Sequence, residues 1–242
     1  MNTATSRRRA YRGKRAFDLA MTVAGAIPAA AVGLLCAVAI KATSPGPVLY
    51  RQERVGRDGR TFVLLKFRTM VNKPDNPTFP DASRVTHVGR WMRRYSLDEL
   101  PQLINVARGE MSIVGPRPTL PYQVTRYDAR QRRRLGVNPG LTGLAQIRGR
   151  NEIVWERRIE HDLEYIDRQS LMLDMVIVGQ TARQLLSRRG IEGHPTEDPI
   201  ARVDEAALEG PAIERDGSRD SPHPGESDPK PLNRIDGHSP CP

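Results

Sequence analysis

The sequence predicts an α+β chain that is mainly helical and membrane-associated, with a re-entrant N-terminal helix, a small β-hairpin and amphipathic surface helices. Three observations carry that prediction. Residues 19–40 are an uncharged, mostly apolar run of 22 residues, long enough to cross a bilayer. Two short stretches, 48–54 and 61–68, read as strands and flank the turn residues Gly56-Arg57-Asp58-Gly59. Four stretches, from Ser96 to Arg108, 119–135, 152–169 and 171–186, read as helices. The charge is split: residues 1–190 carry 33 Lys and Arg against 16 Asp and Glu, a net +17, and residues 191–242 carry 5 against 12, a net −7. A body so basic attracts a polyanion, whether nucleic acid, anionic lipid or nucleotide phosphate. The two cysteines, Cys36 in the apolar run and Cys241 next to the end, argue against a disulfide framework and fit a reducing compartment.

In chain order, residues 1–15 are a basic arm with Arg7, Arg8, Arg9, Arg12, Lys14 and Arg15. Residues 16–42 are the membrane helix. A cleaved signal peptide is disfavoured, because the run is long and no small-residue cleavage site comes after it. Pro28 falls mid-run and is expected to break the helix there. Six Lys and Arg precede the run and five come after it within about 20 residues, whereas a spanning helix usually has a one-sided excess. Both features favour a re-entrant course with both ends on the cytoplasmic side. A spanning helix stays open, since proline kinks also occur in spanning helices. Asp18 is expected to pair with Lys14 or Arg15 near the lipid headgroups.

Residues 43–189 form the cytosolic body. Ser44-Pro45-Gly46-Pro47 is a rigid exit turn, and the second strand ends in Lys66-Phe67-Arg68-Thr69-Met70. Residues 72–80 read as a loop. The region 93–121 concentrates the chemistry. Ser96 is a good N-cap, and Glu99 three residues later completes a capping box, putting Asp98 and Glu99 in a first helical turn. Leu100, Leu103, Ile104 and Ala107 give that helix a buried face, and Arg108-Gly109 ends it. Two readings stand: a cap and nothing more, or a carboxylate beside several arginines that faces a phosphate. Residues 112–114 read as a short buried strand. Pro116, Pro118 and Pro121 stiffen a loop that presents Arg117.

Residues 119–135 read as a helix with five arginines. Residues 138–151 read as a glycine-rich loop that is neither a Walker A loop nor a dinucleotide fingerprint. A charged helix at 152–169 and an apolar helix at 171–186, with Asp174 inside it, complete the body. Residues 190–242, rich in Pro, Gly, Ser, Asp and Glu, read as an acidic disordered tail.

Several blocks carry a resemblance. They are Lys14-Arg15-x-x-Asp18; Ser44-Pro45-Gly46-Pro47 with Gln52 and Val55-Gly56; the block from Lys66 to Met70; Val88-Gly89-Arg90 through Ser96-Leu97-Asp98-Glu99-Leu100-Pro101-Gln102; Gly109 to Pro121; and Pro139-Gly140-Leu141-Thr142-Gly143 through Asn151. In this order they resemble the bacterial sugar transferase family, the monotopic phosphoglycosyl transferases, in its minimal catalytic form. The resemblance covers roughly residues 12–189. It implies transfer of a sugar 1-phosphate from a UDP-sugar to undecaprenyl (polyprenyl) phosphate at the cytoplasmic face of the cell membrane. That step would initiate exopolysaccharide, capsule or related glycoconjugate synthesis.

The resemblance further implies Asp98 as nucleophile and as ligand of a Mg²⁺ cofactor, with Glu99 supporting it. Lys66, Arg93 and Arg117 would hold phosphate oxygens, and Arg150 and Asn151 would lie near the nucleotide or sugar. The expected partners are UDP-sugar, polyprenyl phosphate and membrane lipid, and not nucleic acid. The competing class is a membrane-anchored basic protein that binds nucleic acid or anionic lipid without catalysis. It leaves the Asp98-Glu99 pair unexplained, and 5% aromatic residues is low for a base-stacking surface.

Overall fold

The computed structural model describes residues 10–71, 84–149 and 153–187. The expected loop at 72–80, most of the basic arm, Arg150, Asn151 and the acidic tail lie outside these residues. The first helix, α1 (Lys14–Thr43), leads into the strands β1 (Leu49–Val55) and β2 (Thr61–Phe67). Helix α2 (His87–Arg94), a 3₁₀ turn (Leu97–Glu99) and helix α3 (Gln102–Arg108) come after the hairpin. Next are strand β3 (Ser112–Val114), helix α4 (Pro121–Thr125), a 3₁₀ stretch (Gln131–Gly136) and strand β4 (Gly140–Thr142). Helices α5 (Leu144–Gly149), α6 (Trp155–Arg168) and α7 (Leu171–Ser187) complete the order.

Helix α1 is long and apolar enough to cross a membrane, with a mean hydropathy of 2.3 in its most apolar window. It runs through Pro28 without ending there, so the expected break does not divide it. Asp18, Thr22, Gly33, Cys36 and Ile40 are buried along one side, while Val23, Ile27, Leu34, Leu35 and Val38 are exposed. The helix therefore lies against the body toward both ends, while residues 23–32 between them include none that is buried. At its start Lys14 Nζ lies 2.8 Å from Asp18 and 2.9 Å from Asp174 of α7. At its end Ile40 packs with Cys36, Phe67 and Met92, and Arg68 donates to the Ser44 carbonyl at 2.8 Å. Asp18 does pair with Lys14, but it is buried against the Ile113 N–H and Ser112 Oγ rather than placed at headgroups.

The hairpin forms as expected: β1 and β2 are antiparallel, from Leu49 opposite Phe67 to Val55 opposite Thr61. Asp58 (φ 56°) and Gly59 (φ 77°) supply the left-handed turn. Thr86 caps α2, its Oγ1 accepting from the Gly89 N–H at 2.9 Å. Gly89 is demanded by contact, since a Cβ there would stand 2.1 Å from the Thr69 carbonyl oxygen. Strands β3 and β4 pair in parallel, which turns part of the expected glycine-rich loop into sheet, and α5 takes most of the rest.

The helix expected at 119–135 is split into α4 and the 3₁₀ stretch. Asp128 and Gln131 cap each other between them, at 2.7 and 3.1 Å, and this local bonding outcompetes a continuous helix. Arg134 is not on a solvated face: it is buried, pairs with Asp162 of α6 at 2.6 Å, and stacks on Tyr127 and Trp155. The main core lies beneath, built from Met111, Ile113 and Val114 around β3 and Ile159, Leu163 and Tyr165 of α6.

Candidate active site

Asp98 and Glu99 sit in the one-turn 3₁₀ helix, and the capping box does not form. Ser96 is itself left-handed (φ 55°) and its side chain caps nothing. Glu99 turns instead toward two cations: Lys66 Nζ donates to its Oε1 at 3.1 Å and Arg117 Nη2 at 2.7 Å. Lys66 arrives on β2, and Arg117 on the proline-stiffened loop after β3. The next helix, α3, starts only at Gln102, after Pro101, and ends at Gly109 (φ 82°) as expected. Its buried face is Gln102, Asn105 and Val106, not Ile104 and Ala107, which are exposed.

Asp98 is 9% exposed. Among the described residues it accepts no hydrogen bond and makes no ion pair, because the neighbouring cations Lys66 and Arg117 bond Glu99. Burial, and then the Glu99 charge, raise its pKa above the ordinary aspartate range, against the pull of Lys66, Arg117 and Arg93. Burial alone would raise Glu99 too, but Arg117 and Lys66 outweigh it and hold that carboxyl at about 2. Burial lowers Lys66. The two adjacent carboxyls thus have pKa values pushed apart, the pattern of groups with separate roles.

Lys66, Arg93, Asp98, Glu99 and Arg117 all line one cleft of about 1080 Å³. Every described site residue expected from the sequence is therefore brought to a single place. The lining also includes apolar residues, Met21 of α1, Leu103, Ile113, Ile147 and Val178, together with Thr142, Gln146 and Thr181. For a metal, Asp98 offers an uncommitted carboxylate while Glu99 is tied up. That matches Mg²⁺, which takes one or two carboxylates and completes its shell with water and substrate phosphates.

Three residues that shape this site were missed in the sequence. Asn105, fully buried, accepts from the Leu65 N–H at 3.1 Å and donates to the Val63 carbonyl at 2.8 Å, clamping β2 immediately before Lys66. Thr69 Oγ1 accepts from Arg93 Nε at 2.9 Å and aims that guanidinium. Arg54 lies on β1, on the same face as Lys66. The alternation of the strand was the available signal for Arg54; nothing local marks the other two.

A profile described as "Bacterial sugar transferase" matches residues 9–188. The chain belongs to the bacterial sugar transferase family. Among its relatives, the uncharacterized sugar transferase EpsL of Bacillus subtilis (strain 168) is 41% identical over 181 residues, covering 74% of this chain and 90% of EpsL. The exopolysaccharide production protein ExoY of Rhizobium meliloti (strain 1021) is 39% identical over 196 residues, covering 73% of this chain and 87% of ExoY. The UDP-glucose:undecaprenyl-phosphate glucose-1-phosphate transferase of Caulobacter vibrioides is 46% identical over 166 residues, covering 64% of this chain and 62% of that protein. Sugar transferases are thus matched over nearly all the described residues.

Proposed function

We propose that this chain transfers a sugar 1-phosphate from a UDP-sugar to a polyprenyl phosphate, releasing UMP, at the cytoplasmic face of the cell membrane. The carrying observation is Asp98: a buried carboxylate with no bonded partner among the described residues, beside a Glu99 that holds Lys66 and Arg117 in place. An Asp98 oxygen attacks the sugar-bearing phosphorus. The bond from that phosphorus to the bridging oxygen breaks, and UMP leaves with the electron pair. An oxygen of the lipid phosphate then attacks the same phosphorus and releases the Asp98 carboxylate. A covalent intermediate lets a water-soluble donor and a lipid acceptor visit one site in turn.

Lys66, Arg93 and Arg117 bind the phosphate oxygens and balance charge that builds in each transition state. Asp98 would hold a Mg²⁺ ion, which supplies charge neutralisation of the diphosphate when bound. The apolar residues of the cleft lining, Met21, Leu103 and Ile113 among them, receive the first isoprene units. The re-entrant placement of α1 is supported by its two ends, which both pack on the same body, a course closed to a helix that crosses the bilayer once. Relatives named for glucose transfer and for exopolysaccharide production favour a UDP-hexose donor and a product destined for an exopolysaccharide.

The test is UMP release from a panel of UDP-sugars with Mg²⁺ and undecaprenyl phosphate, comparing wild type with Asp98→Asn. Release that requires Asp98 and one donor establishes the reaction and the sugar. No release from folded, membrane-bound protein with any donor overturns the proposal.

A further inference from the structure

Strand β1 alternates, so Tyr50, Gln52 and Arg54 fall on one face, opposite Lys66, Leu64 and Phe62 of β2 in register. Tyr50, Gln52, Arg54 and Lys66 line the cleft. Four cations nearby have fixed partners. Lys66 and Arg117 share Glu99; Arg93 holds Thr69; Arg68 donates to Ser44 and Pro45 and closes the exit turn of α1. Arg54 differs. Its Nη2 donates to Gln52 Oε1 at 2.6 Å and its Nη1 to the Pro118 carbonyl at 3.2 Å. Its Nε is buried and donates to nothing among the described residues. Among the described residues no carboxylate forms an ion pair with it. Its acceptor on Pro118 adjoins Arg117 in the chain, and both side chains line the cleft, so the like charge of Arg117 opposes its own while Glu99 acts on it more weakly.

A partly buried guanidinium set beside another guanidinium is unfavourable unless an anion joins them. Both of its neutral partners are acceptors that fix its orientation without cancelling its charge. Two forked donors side by side match the oxygens of one phosphoryl group. We infer that Arg54 is a phosphate-binding residue of this cleft, oriented by Gln52 and the Pro118 carbonyl so that it and Arg117 grip one phosphoryl group together. Both a nucleoside diphosphate and a lipid phosphate supply that chemistry. The identity of the ligand rests on the transferase reading; the anion site itself does not.

The experiment has two parts. First, the rise in Tm with inorganic pyrophosphate is titrated for wild type and Arg54→Gln. The inference expects the variant to need about tenfold more pyrophosphate or higher, the loss of one charge-assisted hydrogen bond, with little change in the ligand-free Tm. Second, transfer is split into halves. Protein is labelled from UDP-sugar without acceptor, then chased with undecaprenyl phosphate. Slower labelling with a normal chase assigns Arg54 to the donor phosphate; normal labelling with a slower chase assigns it to the acceptor. Either supports the inference.

Unchanged pyrophosphate affinity together with wild-type rates in both halves overturns it. So does a lowered ligand-free Tm with an unchanged ligand response, the mark of a structural brace. Should Arg54→Gln fail to fold, Gln52→Ala and Arg54→Lys replace it, with a weaker pyrophosphate response expected from both and an unchanged one fatal. Absence of UMP release by wild type overturns the transferase reading instead, and the pyrophosphate titration still decides on Arg54.

Discussion

Two buried charge clusters sit at different places in this molecule, and they are wired differently. At the start of α1, Lys14 binds both Asp18 and Asp174. Asp18 also accepts from Ser112 Oγ and the Ile113 N–H, and Asp174 from the Tyr11 and Tyr165 hydroxyls at 2.9 Å. Both carboxylates are supplied with several donors. In the cleft the two carboxylates are adjacent in sequence, and Glu99 takes the bonds of both nearby cations while Asp98 takes none among the described residues. The first arrangement is a brace. The second leaves one carboxylate desolvated and unbonded, which is what a nucleophile toward phosphorus needs. Burial of charge alone therefore does not distinguish the two clusters; the sharing of donors does.

The comparison can be broken from either side. Asp98→Asn should lower UMP release by about a thousandfold or more. It should leave Tm equal or higher, because the raised pKa of Asp98 means that its charge opposes folding. A large loss of Tm would make Asp98 structural. Asp174→Ala should do the reverse. Removing one partner of a buried ion pair costs about 3–5 kcal/mol, read as a lower denaturant midpoint, while the rate per folded molecule stays near wild type. A selective loss of rate would place that cluster in the chemistry.

Glu99→Gln releases Lys66 and Arg117, and UMP release should fall about ten- to a hundredfold. The same variant sharpens the assignment of pKa values. Asp98 must be ionised to attack, so the acidic limb of the rate profile should lie above the ordinary aspartate value of 3.8. Glu99→Gln removes a like charge and frees two cations, so that limb should move to lower pH. An upward move would contradict the description of the pair. The smallest effect concerns acid stability. Glu99 is held at about 2, below its ordinary 4.5, so its contribution is complete above about pH 4.5 and is lost as pH falls toward 2. In Glu99→Gln the loss of stability across that window should be shallower.

The local features were legible in the sequence, and those fixed at a distance were concealed. The hairpin comes from Gly56-Arg57-Asp58-Gly59, and the end of α3 from Gly109, because each rests on neighbouring residues alone. The capping box at Ser96 is a local rule that failed, because Glu99 found Lys66 and Arg117, 33 and 18 residues away. Arg134 reads as a surface charge until Asp162 is placed beside it. Asn105 looks like a polar interruption in an apolar helix, and its role needs the edge of β2. The grouping of Lys66, Asp98, Glu99 and Arg117 was legible only through the blocks shared with the family. No periodicity joins a strand, a 3₁₀ turn and a proline loop.

The brace at the start of α1 sets a schedule for biogenesis. Tyr11 and Asp174 are 163 residues apart. At a synthesis rate of about 5–20 residues per second, the helix leaves the ribosome about 10–30 s before the aspartate that fixes it. Until Asp174 is made, Lys14 has only Asp18, one helical turn away, of its two carboxylate partners. Phe67 and Met92, which pack on the far end of α1, are made well before Asp174. The two ends of the helix are therefore secured at different times, the C-terminal end first and the N-terminal end last.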